Sequence, residues 1–500
     1  MLFNSYIFIF IFLPATWVLF RLACAQRIID VALVILLVAS LVFYSYWNPP
    51  FVFLILFSII FNYYWGRLIE KASERARIRK LWLYSGVAVN LTLIAYFKYT
   101  NFFMSNVAWL CGEKWITRDI FLPLGISFFT FQQIAYLIDC FKGLAKEHTF
   151  AHYALFVTFF PQLIAGPIVR YEEIMPQFSR LRTFAMNYRN ITMGLTLLSL
   201  GLFKKAVIAD TFSPWVASAF ETDAPLTFIE AWGGALSYTF QIYFDFSGYS
   251  DMALGLGKLF NIELPINFNS PYKALSISDF WRKWHITLSL FLKDYLYIPL
   301  GGNRQGELRR NINLMTTMLL GGLWHGASWN FVIWGGLHGA FLVMNHAYRK
   351  FLSILRITPP RILLPVYWLL TFCSVVCAWI FFRAGSLSRA WEILYGMFGV
   401  NGILLPPNWA PFSWLRDFLT SLGMKITLPS TWILPGGRYQ ILLLAACTLA
   451  VVFLPNSYEW TCSNLQRGRF SLWLTVGIGG ILALSLCFLN RISEFLYFQF

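Results

Sequence analysis

The sequence predicts an all-α, polytopic integral membrane protein. Of its 500 residues, 58% are hydrophobic and only 12% are charged, whereas an ordinary soluble domain carries about 25% charged residues. The mean hydropathy is +0.60, and apolar runs of about 20 residues, the length that crosses a bilayer, recur along the chain. An aromatic content of 19% fits aromatic belts at two membrane interfaces. We therefore expect roughly 10–14 membrane helices plus re-entrant segments, in a single domain over residues 1–500.

The apolar runs fall into two groups by length. Those long enough to span the membrane lie near residues 5–24, 29–47, 81–97, 119–140, 190–209, 226–249, 311–334, 362–383, 438–455 and 471–489. Shorter or charge-interrupted runs lie near 51–65, 99–111, 150–168, 275–300 and 335–347. Several of these are predicted to be re-entrant or broken helices, which must be buried in protein or line a cavity. The run 150–168 contains Pro161, Gly166 and Pro167, a pattern that excludes a regular helix and predicts a re-entrant turn with a structural role.

Lysine and arginine set the predicted orientation. They cluster in segments 65–80 and 346–361, which are therefore expected to be cytoplasmic. Counting spans back from the first cluster places the N-terminus outside, and the C-terminus follows on the same side. The first apolar run lacks a preceding positive segment, so we interpret it as a retained span and not as a cleaved signal. Segment 384–437 is poor in basic residues and is predicted to be an external loop.

Charge and cysteine usage narrow the partners. The net charge of +16 could indicate nucleic acid, but the basic residues lie between apolar runs, which favours anionic membrane lipid as the partner. We expect no nucleic-acid binding. The eight cysteines show no metal-ligand spacing and no H-E-x-x-H pattern occurs, so no metal site is expected.

The sequence GGLWHGASWN at 321–330 places His325 in an apolar run. His325 lies 15 residues beyond Arg310, so roughly 22 Å deep in a continuous helix, where a titratable side chain is costly and usually functional. The adjacent glycines admit a close backbone or a thin substrate. Ser328 and Trp329 follow at i+3 and i+4, on the same predicted helical face. The residues alone leave a catalytic base and a satisfied structural histidine about equally supported.

A second candidate segment is SISDFWRKWHITLS at 276–289. Ser276 and Asp279 form a helix-start pattern, and Pro299 with its glycines would end the helix. The charges in it, with His285, are too many for a lipid-facing span, so the helix should lie at the interface or line a cavity. An amphipathic surface helix is the alternative.

A third candidate segment, QIYFDFSGYSD, contains Asp245 and Asp251. These carboxylates could orient a histidine or pair with Arg282 or Lys283, but we favour a network at a helix break.

The remaining histidines carry weaker signals. His338 would lie about 220° around a continuous helix from His325 and would not share its face, unless the glycines at 335–336 break the helix. His148, His152 and His346 lie near span ends, where a solvated role is expected.

Together these motifs resemble the membrane-bound O-acyltransferase family, in particular its bacterial members that O-acetylate alginate. The resemblance covers essentially the whole chain. It is carried by MLFNSYIFIF at the start, PLGISFFTFQ at 123–132, GPI at 166–168, YFDFSGYSDMA at 243–253, FWRKWHITLS at 280–289, LWHGASWNFVIWG at 323–335 and the terminal EFLYFQF. It implies a helical bundle around a tunnel that joins the two membrane faces, in the bacterial inner membrane. In that membrane, the orientation predicted from the basic residues makes both termini periplasmic.

The resemblance also implies a mechanism. His325 matches the family's invariant histidine and would act as general base or proton shuttle, while His285 would hydrogen-bond the donor carbonyl or the acceptor. The donor would be an acetyl thioester, most plausibly acetyl-CoA, with no permanently bound cofactor. The acceptor would be a serine on a periplasmic acetyltransferase partner that modifies the polysaccharide. Expected supporting residues are Trp281, Trp284, Trp324, Ser328, Asp245 and Asp251.

Charge placement alone suggests where the donor would bind. Arg304, Arg309 and Arg310 mark the inner edge of the helix that carries His325 and are candidates for the CoA phosphates. Two alternatives stay open. A transporter would share the spans and intramembrane charges, although the chain shows no repeated halves. The same chemistry could also serve peptidoglycan, cellulose or teichoic acid, since the histidine motifs do not choose the polymer.

Overall fold

The computed structural model describes residues 1–145, 149–404, 417–418, 420–421, 426–427, 436–468, 471–490 and 496. His148 and most of the terminal EFLYFQF motif lie outside these ranges. The described residues are overwhelmingly helical, which confirms the predicted all-α class. The exception within them is a parallel pair of two-residue strands, β1 (Ile403–Leu404) and β2 (Ile426–Thr427), in which Ile403 is opposite Ile426.

The described α-helices follow one another along the chain in this order. They are α1 (Leu13–Ala25), α2 (Ile29–Ser45), α3 (Phe51–Lys71), α4 (Ala76–Ile94), α5 (Thr100–Leu110), α6 (Ile126–Lys142), α7 (Phe150–Thr158), α8 (Phe160–Leu163), α9 (Tyr171–Phe178), α10 (Leu181–Phe184), α11 (Tyr188–Leu202), α12 (Asp210–Phe220), α13 (Phe228–Leu259), α14 (Ile277–Lys283), α15 (Ile286–Leu292), α16 (Gly306–His325), α17 (Trp329–Ile354), α18 (Leu364–Arg383), α19 (Leu387–Met397), α20 (Gly437–Phe453), α21 (Ser457–Gln466) and α22 (Leu472–Phe488).

Wider and tighter helical turns interrupt this series. Segments with π-helical winding, which holds one extra residue per turn and often marks functional sites, are Phe8–Phe12, Ala95–Tyr99, Phe203–Ala209 and Lys293–Tyr297. Short 3₁₀ segments are Pro271–Lys273 and Arg361–Leu363.

The chain divides into two compact units. The first comprises Met1–Phe203, Gly248–Asn267 and Ser457–Phe500, and the second comprises Lys204–Ser247 and Phe268–Asn456. In the first unit, α3 packs against α4 and α6, and α11 packs against α21 and α22.

Polar side chains inside the first unit bond to one another. The amides of Asn62 and Asn90 exchange hydrogen bonds of 3.2 and 2.7 Å. Such pairs hold membrane helices together where no hydrophobic driving force exists between them.

The second unit contains both candidate histidine segments. Helix α16 packs along α17, and α17 also contacts α14 and α18. Its interior is built from large aromatic side chains, and those less than 2% exposed include Tyr238, Trp284, Trp334 and Trp379.

The predicted multi-pass membrane protein is supported by long apolar helices. Among the described residues, five stretches have the length and hydropathy of single spans, namely Phe8–Ala25, Phe51–Lys71, Ala76–Leu110, Tyr188–Phe220 and Arg361–Arg383. Helices α20 and α21 would add a sixth if they form one span. The expected number of crossings stays a prediction.

Several predicted element boundaries are wrong. The run 51–65 belongs to a full-length helix, α3, while the run 119–140 becomes helical only at Ile126. The predicted continuous helix 311–334 is broken between α16 and α17. The predicted break near Asp245 and Asp251 does not occur, because α13 runs unbroken through both. Apolar composition marks where helices lie, but it does not mark their ends.

Two other predictions concern irregular segments. The prolines of 161–167 interrupt the helix as expected, since α8 ends at Leu163 and the buried stretch to residue 170 is not helical. The predicted external loop 384–437 contains α19, and most of the rest of it lies outside the described residues.

Candidate active site

His325 is the last residue of α16. The chain turns at 326–328, and Ser328 starts α17 by accepting a hydrogen bond from the backbone N–H of Asn330 at 3.2 Å. Serine is a preferred residue at this position because its hydroxyl satisfies an otherwise unpaired backbone donor. The predicted shared face of His325, Ser328 and Trp329 is therefore wrong. Ser328 is a helix cap, and Trp329 is exposed.

Glycines let α16 and α17 approach at backbone distance. A Cβ on Gly322 would collide with the carbonyl oxygen of Phe331, and one on Gly335 would collide with the carbonyl oxygen of Met318. A Cβ on Gly326 would overlap the ring of Phe331. The glycines around His325 thus serve helix packing, the close backbone approach that was one of the two predicted roles.

The imidazole of His325 is enclosed by aromatic rings. It is 3% exposed, and its ring centre lies 4.9 Å from Trp324, 5.0 Å from Trp334 and 5.2 Å from Phe382. These three rings meet it edge-on, an arrangement that fixes the ring in one orientation. A fixed, water-poor imidazole suits proton transfer to a reactant held beside it.

His285 lies at a second helix break. Ser276 caps α14 through the backbone N–H of Asp279 at 3.2 Å, so the predicted helix start is confirmed. The predicted continuation through His285 is wrong, because α14 ends at Lys283 and His285 has a left-handed backbone conformation with φ of +43°. His285 is fully buried, which also excludes the alternative of an amphipathic surface helix at this residue.

One indole lies beside both predicted catalytic histidines. The ring centre of Trp324 is 6.3 Å from that of His285 and 4.9 Å from that of His325. Phe246 also packs against His285, at 4.8 Å between ring centres. The second unit therefore brings together two histidines that are 40 residues apart in sequence, around Trp324.

The structure adds His338 to this cluster. His338 is fully buried, and its Nδ1 accepts a hydrogen bond from Nε1 of Trp281 at 3.3 Å. Trp334 contacts His338 at 4.8 Å and His325 at 5.0 Å between ring centres. The prediction that His338 lies apart from His325 assumed one continuous helix, and the chain instead breaks at 326–328 and not at the glycines 335–336. The i, i+4 spacing of Trp334 and His338 was the available signal.

The other predicted supporting residues take separate positions. Trp284 is buried against Trp379 at 4.9 Å. Lys283 pairs with Asp279 at 2.8 Å, so its predicted pairing with either carboxylate of α13 is wrong. Asp251 belongs to the first unit, where it accepts a hydrogen bond from Ser457.

Asp245 belongs to a buried ion network. Its carboxylate lies 2.6 Å from Nζ of Lys205, which also lies 2.9 Å from Asp210. All three side chains are almost completely buried. Lys205 and Asp210 were missed by sequence reasoning, although a lysine inside the apolar run 190–209 with an aspartate five residues later was a visible signal.

Two of the three predicted phosphate-binding arginines line one basic cavity. Arg304 and Arg310 share a cavity of about 500 Å³ with Lys293, Glu307 and other residues, whereas Arg309 is exposed outside this lining. Glu307 lies before the basic edge of α16, where a hydrogen bond and the positive charge of Lys350 lower the pKa of its carboxyl. The lining holds Lys293, Arg304 and Arg310 against this one carboxylate, so the cavity carries an excess of positive charge. Such a cavity suits a polyanionic ligand.

A metal site is not formed in the described part of the chain. No group of three or more His, Cys, Asp and Glu side chains there is placed to hold an ion.

The fold and these groups define a multi-pass membrane protein with a buried cluster of histidine and tryptophan side chains. Residues 80–385 match the family described as "MBOAT, membrane-bound O-acyltransferase family". The chain belongs to this family of membrane O-acyltransferases.

Similar proteins cover between about half and all of the chain. It is 47% identical to a peptidoglycan O-acetyltransferase of Helicobacter pylori, over 100% of this chain and 98% of the relative. It is 42% identical to a probable alginate O-acetylase AlgI of Pseudomonas aeruginosa, over 80% of this chain and 75% of the relative. A teichoic acid D-alanyltransferase of Streptococcus thermophilus is 28% identical over 47% of this chain and 59% of its own length. These similarities confirm the predicted O-acyltransferase class.

Proposed function

We propose that this protein moves acetyl groups from a cytoplasmic thioester, acetyl-CoA, across the bacterial inner membrane for O-acetylation of an exported polysaccharide. The observation that carries the proposal is the placement of His285 and His325 beside one buried indole, Trp324. Two imidazoles in an enclosed aromatic site can handle a proton and orient a carbonyl without admitting bulk water, which would hydrolyse the thioester.

The reaction would use His325 as the proton carrier. A hydroxyl oxygen of the acceptor attacks the thioester carbonyl carbon, forming a C–O bond, while the hydroxyl proton passes to the imidazole of His325. The C–S bond then breaks, and His325 returns the proton to the departing thiolate. The products are an acetyl ester and CoA thiol, and the histidine is regenerated. His285 would hydrogen-bond the donor or acceptor and hold it in line.

Donor and acceptor would approach from opposite membrane faces. The basic cavity with Arg304 and Arg310 would bind the phosphates of CoA on the cytoplasmic side, where guanidinium groups match phosphate geometry. Arg309 would act only as a nearby surface charge. The acceptor would be a serine on a periplasmic acetyltransferase partner, and both chain termini would be periplasmic.

The polymer is proposed to be alginate, with peptidoglycan as the second candidate. Whole-chain resemblance favours alginate, and relatives named as alginate O-acetylases reach 42% identity. Peptidoglycan is favoured by the 47% identity, over the whole chain, to a relative named for that polymer. The two candidates share the donor and the membrane step and differ only in the final acceptor.

The central test replaces His325 with alanine in the producing cell. We expect the O-acetyl content of the polymer to fall to the level of a gene deletion, with unchanged protein abundance in the membrane. Measuring esters on alginate and on peptidoglycan in parallel identifies the polymer. His152→Ala is a matched control, because His152 is half-buried at the start of α7, where it forms a hydrogen bond with the neighbouring Thr149. Normal acetylation in the His325→Ala strain would contradict the catalytic assignment.

A second experiment separates transfer from transport. The purified protein is incubated with acetyl-CoA and the acceptor protein, and free CoA thiol is measured. Release of thiol that depends on His325 supports chemistry at this site. An intact thioester in the presence of the acceptor would instead favour a transporter.

A further inference from the structure

The hydrogen bond from Trp281 fixes the tautomer of His338. An indole N–H can only donate, so Nδ1 of His338, which lies 3.3 Å from Nε1 of Trp281, must be the acceptor. The neutral imidazole therefore carries its proton on Nε2. Among the described residues this Nε2–H finds no hydrogen-bond acceptor, although His338 is fully buried.

Trp334 presents a second such donor one turn away. It precedes His338 by four residues on α17, which places both on one face, and their ring centres are 4.8 Å apart. Nε1 of Trp334 is also buried without an acceptor in the described part of the chain. Leaving a buried donor unpaired is unfavourable, so two adjacent donors of this kind call for a ligand atom that accepts from both.

This donor pair lies next to the proposed base. The ring of Trp334 packs edge-on against His325 at 5.0 Å. An oxygen atom bound by the two donors would therefore be near the imidazole that takes the acceptor's proton.

Space for a slender ligand lies along the same helix face. Phe341 contacts His338 at 6.0 Å between ring centres. It also lines a mainly apolar cavity of about 730 Å³ between α17, α18 and the start of α14. His338, Phe341 and Asn345 follow one another at intervals of three and four residues and therefore lie on one face of α17. Asn345 lines the cavity as well. His338 does not itself line this cavity, and Phe341 lies between the imidazole and a space that could hold the thioester end of a donor molecule.

We propose that Nε2–H of His338 and Nε1–H of Trp334 donate hydrogen bonds to the carbonyl oxygen of the acetyl thioester. This proposal rests on the acetyl transfer proposed above. When the acceptor's hydroxyl oxygen attacks the carbonyl carbon, the π electrons of the C=O bond move onto the carbonyl oxygen. They re-form the C=O bond as the C–S bond breaks. His338 and Trp334 keep their protons throughout. Fixed donors aimed at developing negative charge stabilise the transition state more than the ground state.

The test is steady-state acetyl transfer by the purified full-length protein with acetyl-CoA and its acceptor protein. Because a lost oxyanion donor typically lowers kcat by roughly 10²–10³-fold, we expect this loss for His338→Leu with KM little changed. His338→Gln should recover part of kcat, since its amide can accept from Trp281 and still donate. Trp334→Phe should lower kcat in the same way.

Two controls separate catalysis from folding. Trp368→Phe removes a half-buried indole whose N–H donates a hydrogen bond to the carbonyl oxygen of Tyr272 at 2.9 Å. This variant should keep the kcat of the unmodified protein. S-ethyl-CoA lacks the carbonyl, so His338→Leu should bind it as tightly as the unmodified protein does.

Each outcome has a distinct meaning. If the unmodified protein does not turn over acetyl-CoA, the proposed function fails. If it does and His338→Leu keeps its kcat, the oxyanion role of His338 is overturned. Loss of S-ethyl-CoA binding and of thermal stability together with activity, without recovery in His338→Gln, would also overturn it in favour of a packing role.

Discussion

His285 combines a candidate catalytic side chain with a strained backbone. Its φ of +43° lies in the left-handed region, which costs an L-residue roughly 1–2 kcal/mol. His285 lies between Trp284, whose backbone is extended, and the first residue of α15. The left-handed turn at His285 places its imidazole next to Phe246 and Trp324. Strain of this kind persists where the surrounding packing fixes the residue, and it concentrates at functional sites.

Two substitutions of similar size measure the backbone term at this residue. Asparagine tolerates the left-handed region, whereas a β-branched valine does not. We expect the free energy of unfolding of His285→Asn in detergent to exceed that of His285→Val by about 1–2 kcal/mol. The His285→Asn variant should therefore unfold at the higher temperature. Valine buries better than asparagine, so the opposite order would show that backbone strain is small here.

At the residue scale, the sequence pointed to part of the buried histidine cluster. His325 and His285 were detectable because ionisable side chains in apolar runs are rare and usually functional. The proximity of His338 to His325 was not, because it depends on where α16 ends. The sequence GAS at 326–328 is apolar enough to continue a helix, so the turn that brings Trp334 between the two histidines could not be derived from periodicity.

The α16–α17 hairpin shows how the element scale controls the site. His325 ends one helix, and Trp334 and His338 lie on the other, so the spacing of the two helices sets their separation. That spacing depends on Gly322 and Gly335, where side chains would meet backbone carbonyls. Backbone carbonyls cannot move aside as a flexible side chain can.

Adjacent glycines provide a matched pair of variants. Gly335→Ala should force α16 and α17 apart, lower stability by roughly 1–3 kcal/mol as overpacking does, and reduce acetyl transfer. Gly336→Ala should be tolerated, because its Cβ would lie 3.5 Å from Cδ2 of Leu319, an ordinary contact. Thermal unfolding and turnover of both proteins check this. Equal effects would show that the hairpin can adjust its spacing.

At the scale of the whole molecule, composition predicted the membrane class but not the division of the chain. Apolar runs and their charged boundaries are local, and local composition was enough to locate most helices. The two units combine segments that are distant in sequence, as when Asp251 meets Ser457. Pairings of that range leave no mark on hydropathy or on helical periodicity.

The ion network of Lys205, Asp210 and Asp245 joins distant segments of the second unit. Removing one member of a buried network leaves uncompensated charge, which typically costs 3–5 kcal/mol. We therefore expect Lys205→Met to lower stability by about that amount. Adding Asp210→Asn and Asp245→Asn to Lys205→Met should restore part of it, because the neutral amides do not repel each other. Denaturation in detergent measures both, and a triple variant less stable than Lys205→Met would contradict this account.

The π-helical segment Lys293–Tyr297 makes one stretch of the gene intolerant of deletion. It follows α15, which begins after His285, and Lys293 and Tyr297 line the basic cavity. A π turn carries one residue more than an α turn, so losing a single codon here would restore α-helical winding. The residues after the deletion would then be rotated about the helix axis by about 100° relative to those before it. Substitutions across this segment can preserve the register between His285 and the cavity, whereas an in-frame deletion of one residue cannot.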